Sequence, residues 1–212
     1  MTENWHTNLK NKNREDIITA AKELFVKQSF LTVNIKEICT LAGISRVTFY
    51  KHFQTMNELV FEVQIEILED MTGFVRRAPS AGMNGKEMLS SMLKGWIDYA
   101  SQHPGYIRFV LLFDLHYEAY GSTKELREQY EQFISREKER HFLLEALETG
   151  ANDGSLKRDA EPVKTAQFIF TSMMALLQKM SLIPGSEQHS GLEEIKIADR
   201  FAGMLLQHLS VD

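Results

Sequence analysis

The sequence predicts an all-α protein: an N-terminal three-helix domain carrying a helix-turn-helix, followed by a larger C-terminal helical domain. Three observations predict it. Apolar residues recur at three- and four-residue intervals along the 212-residue chain, with no sustained alternation of the kind a half-buried strand requires. Residues 34–53 read as two short helices broken by a single glycine. Turn-rich clusters at 78–85, 103–105, 150–154 and Pro184-Gly185 separate longer helical runs.

The elements follow in order. A first amphipathic helix is expected over 13–28, burying Ile17, Ile18, Ala21, Leu24 and Phe25. Asn34 caps the second helix by accepting a free N–H of its first turn. There Ile35, Ile38 and Leu41 share an apolar face, while Lys36, Glu37 and Thr40 point outward. Gly43 stands where the chain turns sharply, a left-handed position that only glycine takes without steric cost. Ser45 caps the next helix. Val47, Phe49, Tyr50 and Phe53 supply its apolar surface, and Arg46, Thr48, Tyr50, Lys51 and His52 its polar contacts. A helix placed second in such a pair is the one aimed at a DNA major groove, where cations and hydroxyls meet phosphates and base edges.

Six further helices are expected over 56–74, 86–102, 106–116, 123–149, 161–183 and 192–209. The boundary between domains is drawn at 54/55. The run 161–183 is apolar almost all round, through Val163, Phe168, Ile169, Phe170, Met173, Met174, Leu176, Leu177 and Met180. A helix that buries more than one face packs against a core and something else. The expected partner is the same helix pair, 161–183 with 192–209, of a second subunit, making a four-helix interface. The alternative is a monomer in which 161–183 is simply central. Met92, Trp96, Tyr99, Phe109, Phe113, Phe142, Phe168 and Met173 are either ordinary core or the wall of an apolar chamber. Asp98, Arg108, His116 and His141 stand as polar anchors for a small molecule. The alternating charges of 124–140 read as a solvated face.

Charge is uneven. Residues 1–53 hold eight Lys/Arg against five Asp/Glu, a net of +3, and the remainder sixteen against twenty-four, −8, in agreement with the whole-chain −5. Such asymmetry hints at an end that faces nucleic acid, with Lys10, Lys12 and Arg14 able to reach phosphates. The single Cys39 rules out an internal disulfide and suits a reducing cytosol. No apolar run approaches the ~20 residues that span a bilayer, and the first residues lack a signal-peptide pattern. A cytoplasmic protein without membrane partners is expected.

Catalytic and metal motifs do not assemble. The segment 43–47 lacks the closing glycine of a hydrolase nucleophile elbow and follows a helix instead of a strand. Gly85-Lys86-Glu87 lacks both the upstream glycine and the Ser/Thr of a phosphate loop. The sole Glu-x-x-His, from Glu3 to His6, lies outside any core helix. No cysteine cluster or His-Glu-x-x-His offers a zinc site. Neither catalytic activity, metal nor cofactor is expected.

The chain resembles the tetracycline-repressor-like (TetR/AcrR) family of transcriptional regulators. The resemblance rests on Arg14-x-x-Ile17, Ala20-Ala21-x-x-Leu24-Phe25, Phe30-x-Thr32-x-Asn34-Ile35-x-x-Ile38, Ala42-Gly43-Ile44-Ser45-Arg46, Thr48-Phe49-Tyr50-x-His52-Phe53 and Glu58-Leu59. It is dense over about a quarter of the chain. It implies contacts to a palindromic double-stranded operator from Thr32, Asn34, Ser45, Arg46, Val47, Thr48, Tyr50, Lys51 and His52. It also implies the dimer, and a small-molecule effector held in the C-terminal domain. Two departures stand out. Val47 replaces a frequent small residue, leaving it to touch a thymine methyl or pack inside. Met56 replaces a frequent lysine and cannot pair with phosphate. The leading expectation is a homodimeric repressor released by its effector. The alternatives are a DNA-binding regulator without a small-molecule switch, controlled by a protein partner or acting as an activator, and, far behind, an all-α enzyme.

Overall fold

Helical periodicity becomes helix throughout. The computed structural model describes residues 2–116, 124–139, 141–158, 161–182 and 188–211, with side chains for 11–116, 124–125, 127–134, 141–158, 161–182 and 195–211. Thr123, Arg140, Ile183 and Pro184-Gly185, on which expectations above fall, lie outside the described residues, as does the Lys10 side chain. Ten helices occupy the described chain: α1 (Thr2–Gln28), α2 (Ile35–Leu41), α3 (Arg46–Tyr50), α4 (Met56–Arg76), α5 (Gly85–Gln102), α6 (Pro104–His116), α7 (Lys124–Glu139), α8 (Leu144–Asp153), α9 (Pro162–Ser181) and α10 (Gln188–Leu209). One isolated bridge, Leu156 to Ser210, is the sole strand-like pairing described.

The chain divides into two compact units, residues 1–67 with 109–130, and residues 68–108 with 131–212. In the first, Ile17, Ile18 and Ala21 of α1 are buried with Ile38 and Cys39 of α2, Phe49 of α3, and Leu59, Val60 and Val63 of α4. Aromatic rings extend this core. Phe25 stacks on Phe109 at 5.7 Å, and Phe30 meets both edge-on. Phe61, Phe113 and Tyr130 form a second cluster, with ring separations of 5.0–5.5 Å. The buried Gln64 amide donates to the Tyr130 hydroxyl at 3.2 Å. Leu41, expected inside, is 45% exposed: α2 has only seven residues, and its buried stripe is taken by Ile38 and Cys39.

The second unit is centred on α5, whose Leu89, Leu93, Trp96 and Ile97 are buried. Asn84 and Glu87 form a reciprocal capping box at its start. The Asp153 carboxylate accepts the Gly85 N–H at 2.8 Å, and the Ser155 hydroxyl accepts the Lys86 N–H at 3.0 Å. Between them α5 and α8 come so close that a Cβ built on Gly85 would lie 2.0 Å from the Gly150 nitrogen. Gly150, expected to break a helix, is therefore a point of close backbone approach inside α8. The helix ends at Gly154, whose φ of 78° is left-handed.

The single helix expected over 123–149 is two, α7 and α8. His141, Phe142 and Leu143 between them are all buried, which successive residues of a one-sided helix cannot be. A turn closed by the Leu144 N–H donating to the His141 carbonyl at 2.9 Å carries them inward. Among the described residues no helix is long and apolar enough to cross a membrane.

Candidate nucleic-acid interface

Local chemistry builds the helix-turn-helix from both ends. Asn34 has extended backbone (φ −118°, ψ 161°), and its Oδ1 accepts from the Lys36 and Glu37 N–H groups at 3.0 and 3.2 Å. The Glu37 carboxylate accepts the Asn34 N–H at 2.9 Å, completing a capping box. At the far end the Ile44 N–H donates to the Cys39 carbonyl at 3.0 Å and the Gly43 N–H to the Thr40 carbonyl at 3.4 Å. Those are the two bonds of a Schellman ending, and Gly43 supplies the left-handed residue at φ 67°. Ser45 then opens α3, its hydroxyl accepting the Thr48 N–H at 3.0 Å.

With α3 so placed, its sides separate. Phe49 and Phe53 are buried at 0% and 1%, anchoring it to the core. Arg46 and Lys51 are exposed, and Thr48 and His52 are half-buried. Val47 is 69% exposed and Tyr50 54%. Val47 therefore does not pack inside. Tyr50 keeps its ring edge against Phe49 at 5.4 Å while most of the side chain faces outward. The five-residue α3, with Lys51 at its end, thus displays a valine, a tyrosine and two cations on its outer side.

Other expected contacts are occupied within the fold. The Thr32 hydroxyl donates to the Gln28 and Ser29 carbonyls at 2.7 and 3.0 Å, fixing the corner before α2. Asn34 is committed as a cap, so what it can offer outside is limited. Arg14, expected to reach phosphate, pairs with Glu62 at 2.6 Å and lies over the Phe53 ring at 5.4 Å, tying α1 to α4. Lys12 is exposed. Burial pushes the Cys39 thiol up, with the Arg46 charge acting in the opposite sense.

Residues 17–63 match the profile of the bacterial regulatory proteins of the tetR family, across the whole segment from α1 into α4. Over that segment the chain is similar to the tetR family. The chain is 22% identical over 165 residues to the HTH-type transcriptional repressor KstR2 of Rhodococcus jostii (strain RHA1), covering 77% of each chain. Solved structures share its fold. A TetR transcription regulator from Haloarcula marismortui matches at TM-score 0.71 and 12% identity, over 95% of this chain and 100% of that one. A tetR-family regulatory protein from Rhodococcus RHA1 matches at TM-score 0.66 and 17% identity, over 94% and 98%.

The expected chamber residues scatter. Phe109 and Phe113 belong to the aromatic clusters of the first unit. Trp96, Tyr99, Met92 and Met173 are buried in the second. The Tyr99 hydroxyl donates to Asp70 at 2.9 Å, and burial followed by that carboxylate pushes its phenol up. Phe168 is 62% exposed and does not face the interior. It lines a separate groove with Leu205 and Leu209, whereas the α9 aromatic that lines the cavity beside α4 is Phe170, two residues and about 200° further round the helix. With Leu68, Met71, Phe133, Phe142 and His141 it lines a partly open space of about 290 Å³ in the second unit. Phe142 is the one chamber residue expected from the sequence that lines this space, and His141 the one anchor. Among the described residues of α9 and α10, the large apolar side chains left exposed are Val163, Phe168, Ile197 and Met204.

Proposed function

We propose that this chain is a homodimeric transcriptional repressor that seats α3 in the major groove of a palindromic operator and is released by a small-molecule effector. The observation that carries the reading is the outward display of Val47, Tyr50, Arg46 and Lys51 on a helix capped at Ser45 and anchored by Phe49. Arg46 and Thr48 read base edges, Val47 offers methyl contact, and Tyr50, Lys51 and His52 meet the phosphate backbone. Thr32, Asn34 and Ser45 hold the frame and lie beside that backbone. We assign DNA reading to residues 1–54 and effector binding and dimerisation to 55–212.

Two copies join through α9 and α10, whose exposed Phe168, Ile197 and Met204 supply a surface that solvent does not favour. One short recognition helix binds weakly, and a twofold pair reads two half-sites roughly 34–36 Å apart. The apolar cavity supports a ligand switch: an effector favouring a form with misplaced heads weakens operator binding by the same coupling factor, roughly 5–150-fold. The repressor named among the relatives supports repression over activation.

Titration of a labelled operator with purified protein tests the reading, with mass measured across the same concentration range. Two chains per duplex and a dimer in free solution are expected. One chain per duplex at full occupancy would contradict it.

A further inference from the structure

We propose that the cavity of about 290 Å³ takes an uncharged, largely apolar molecule ending in a hydrogen-bond acceptor, such as a ketone or an ester. The proposal rests on the effector reading above and gives that effector a chemical class. The body of the site is set by Met71 of α4, Phe133 and Ile134 of α7, Phe142, and Phe170 of α9, which offer apolar and aromatic walls. Its volume lies at the lower end of small-molecule sites, ~300 Å³.

Charge decides the next step. Among the described residues lining the space, the ionisable ones are Glu69, which is exposed, and His141, which is buried. The His141 ring stacks on Phe142 at 4.7 Å and meets Phe170 edge-on at 5.4 Å. Burial, and then the nearby Arg76 charge, lower it to about 4, so the imidazole is neutral at physiological pH. The charged groups Arg76 and Glu145 line a separate cavity of about 560 Å³ that shares the His141–Phe142 wall. Among the described lining residues no buried charge meets an ion that leaves water for this space, which is costly; an uncharged molecule does not meet that cost.

The polarity of the head follows from one backbone bond. The Leu143 N–H donates to His141 Nδ1 at 3.3 Å. A ring neutral and accepting at Nδ1 carries its hydrogen on Nε2, so it offers the cavity a donor and not an acceptor. The ligand must bring the acceptor. Thr72, Gln167 and Thr171 add hydroxyls and an amide able to adapt to either sense.

Three probes sharing one chain test this on the full-length protein: methyl decanoate, decanoate and decyltrimethylammonium. Trp96 reports binding, since its ring lies 5.3 Å from both Phe142 and Phe170, and a Trp5→Phe background isolates its fluorescence. The ester is expected to saturate, about tenfold tighter than either ion. His141→Phe should weaken the ester roughly fivefold, and His141→Gln, which keeps an N–H donor, should restore it. An ion that binds as tightly as the ester, no saturable ester binding, or unchanged affinity in His141→Phe would overturn the proposal. Repeating the titration on the DNA complex separates the two readings. Ester binding without DNA release sinks the effector reading and leaves the ligand class; DNA release by a tighter-binding ion does the reverse.

Discussion

The Ser45 hydroxyl accepts the Thr48 N–H at 3.0 Å and lies 2.9 Å from the Thr48 hydroxyl. One serine thus closes the start of α3 and engages a side chain expected to read bases. Removing the serine and removing the threonine therefore have separable effects. Ser45→Ala should cost about 1 kcal/mol of stability as a lost cap, seen in thermal unfolding. Thr48→Ala should leave unfolding nearly unchanged and relax base preference in a binding-site selection. Unchanged preference would place Thr48 outside the reading surface.

Arg46 and Lys51 are both exposed cations on or beside α3, yet they are expected to differ in kind. Arg46→Ala should lose roughly 1–3 kcal/mol of discrimination at one operator position. Lys51→Ala should weaken all sequences alike and lower the salt slope of binding by about one. A slope equal to the parent's would remove Lys51 from the phosphate contacts.

Stability should depend on pH through His141. Its folded value of about 4 lies below the ordinary 6.5 because burial, then Arg76, disfavours the charged ring. The unfolded chain takes up this proton below about pH 6.5 and the folded protein only below about 4. Stability therefore falls as pH drops through that window and is insensitive to this group above it, by an amount on the order of 3 kcal/mol. Denaturant unfolding of the parent and of His141→Gln across pH 4–7 checks it. The difference between the two curves should change through the window, and a constant offset would refute the assignment.

Gly85 and Gly150 permit the close approach of α5 and α8. Gly85→Ala drives a Cβ against the Gly150 backbone, which cannot rotate aside as a side chain would. A loss of about 3 kcal/mol is expected, with a fall in Tm of roughly 6–12 °C. Gly203→Ala, where nothing lies within 4 Å, serves as the control and should not lower Tm.

The exposed apolar residues of α9 and α10 predict an oligomeric phenotype. Phe168→Glu with Met204→Glu replaces two side chains that are 62% and 61% exposed in the single chain, so folding should survive. Sedimentation should then show a monomer, and operator affinity should drop by at least about a hundredfold. A double variant that remains a dimer would move the interface elsewhere.

The helix-turn-helix was legible because its signals are local: Asn34 with Glu37, Gly43, and Ser45 each act within three or four residues. Fold class was legible for the same reason, since periodicity reports which face is buried. What escaped depends on distant partners. Gly150 reads as a breaker until Gly85 is seen against it. The burial of three successive residues at His141–Leu143, and hence the split into α7 and α8, follows from packing that periodicity cannot report. On α9, apolar residues on nearly every side hid which aromatic faces the cavity. Phe168 and Phe170 are equivalent by composition, and Ala166, Ile169, Met173 and Leu177 decide between them. Arg14, read as able to reach phosphate, has a distant partner of the same kind in Glu62.

Selection of random duplexes with the purified protein tests the central claim most directly. The account predicts enrichment of an inverted repeat with half-sites about one helical turn apart, and loss of preference within each half-site in the Arg46→Ala variant. Duplexes that emerge without any common sequence, or an enriched motif untouched by that substitution, would contradict it.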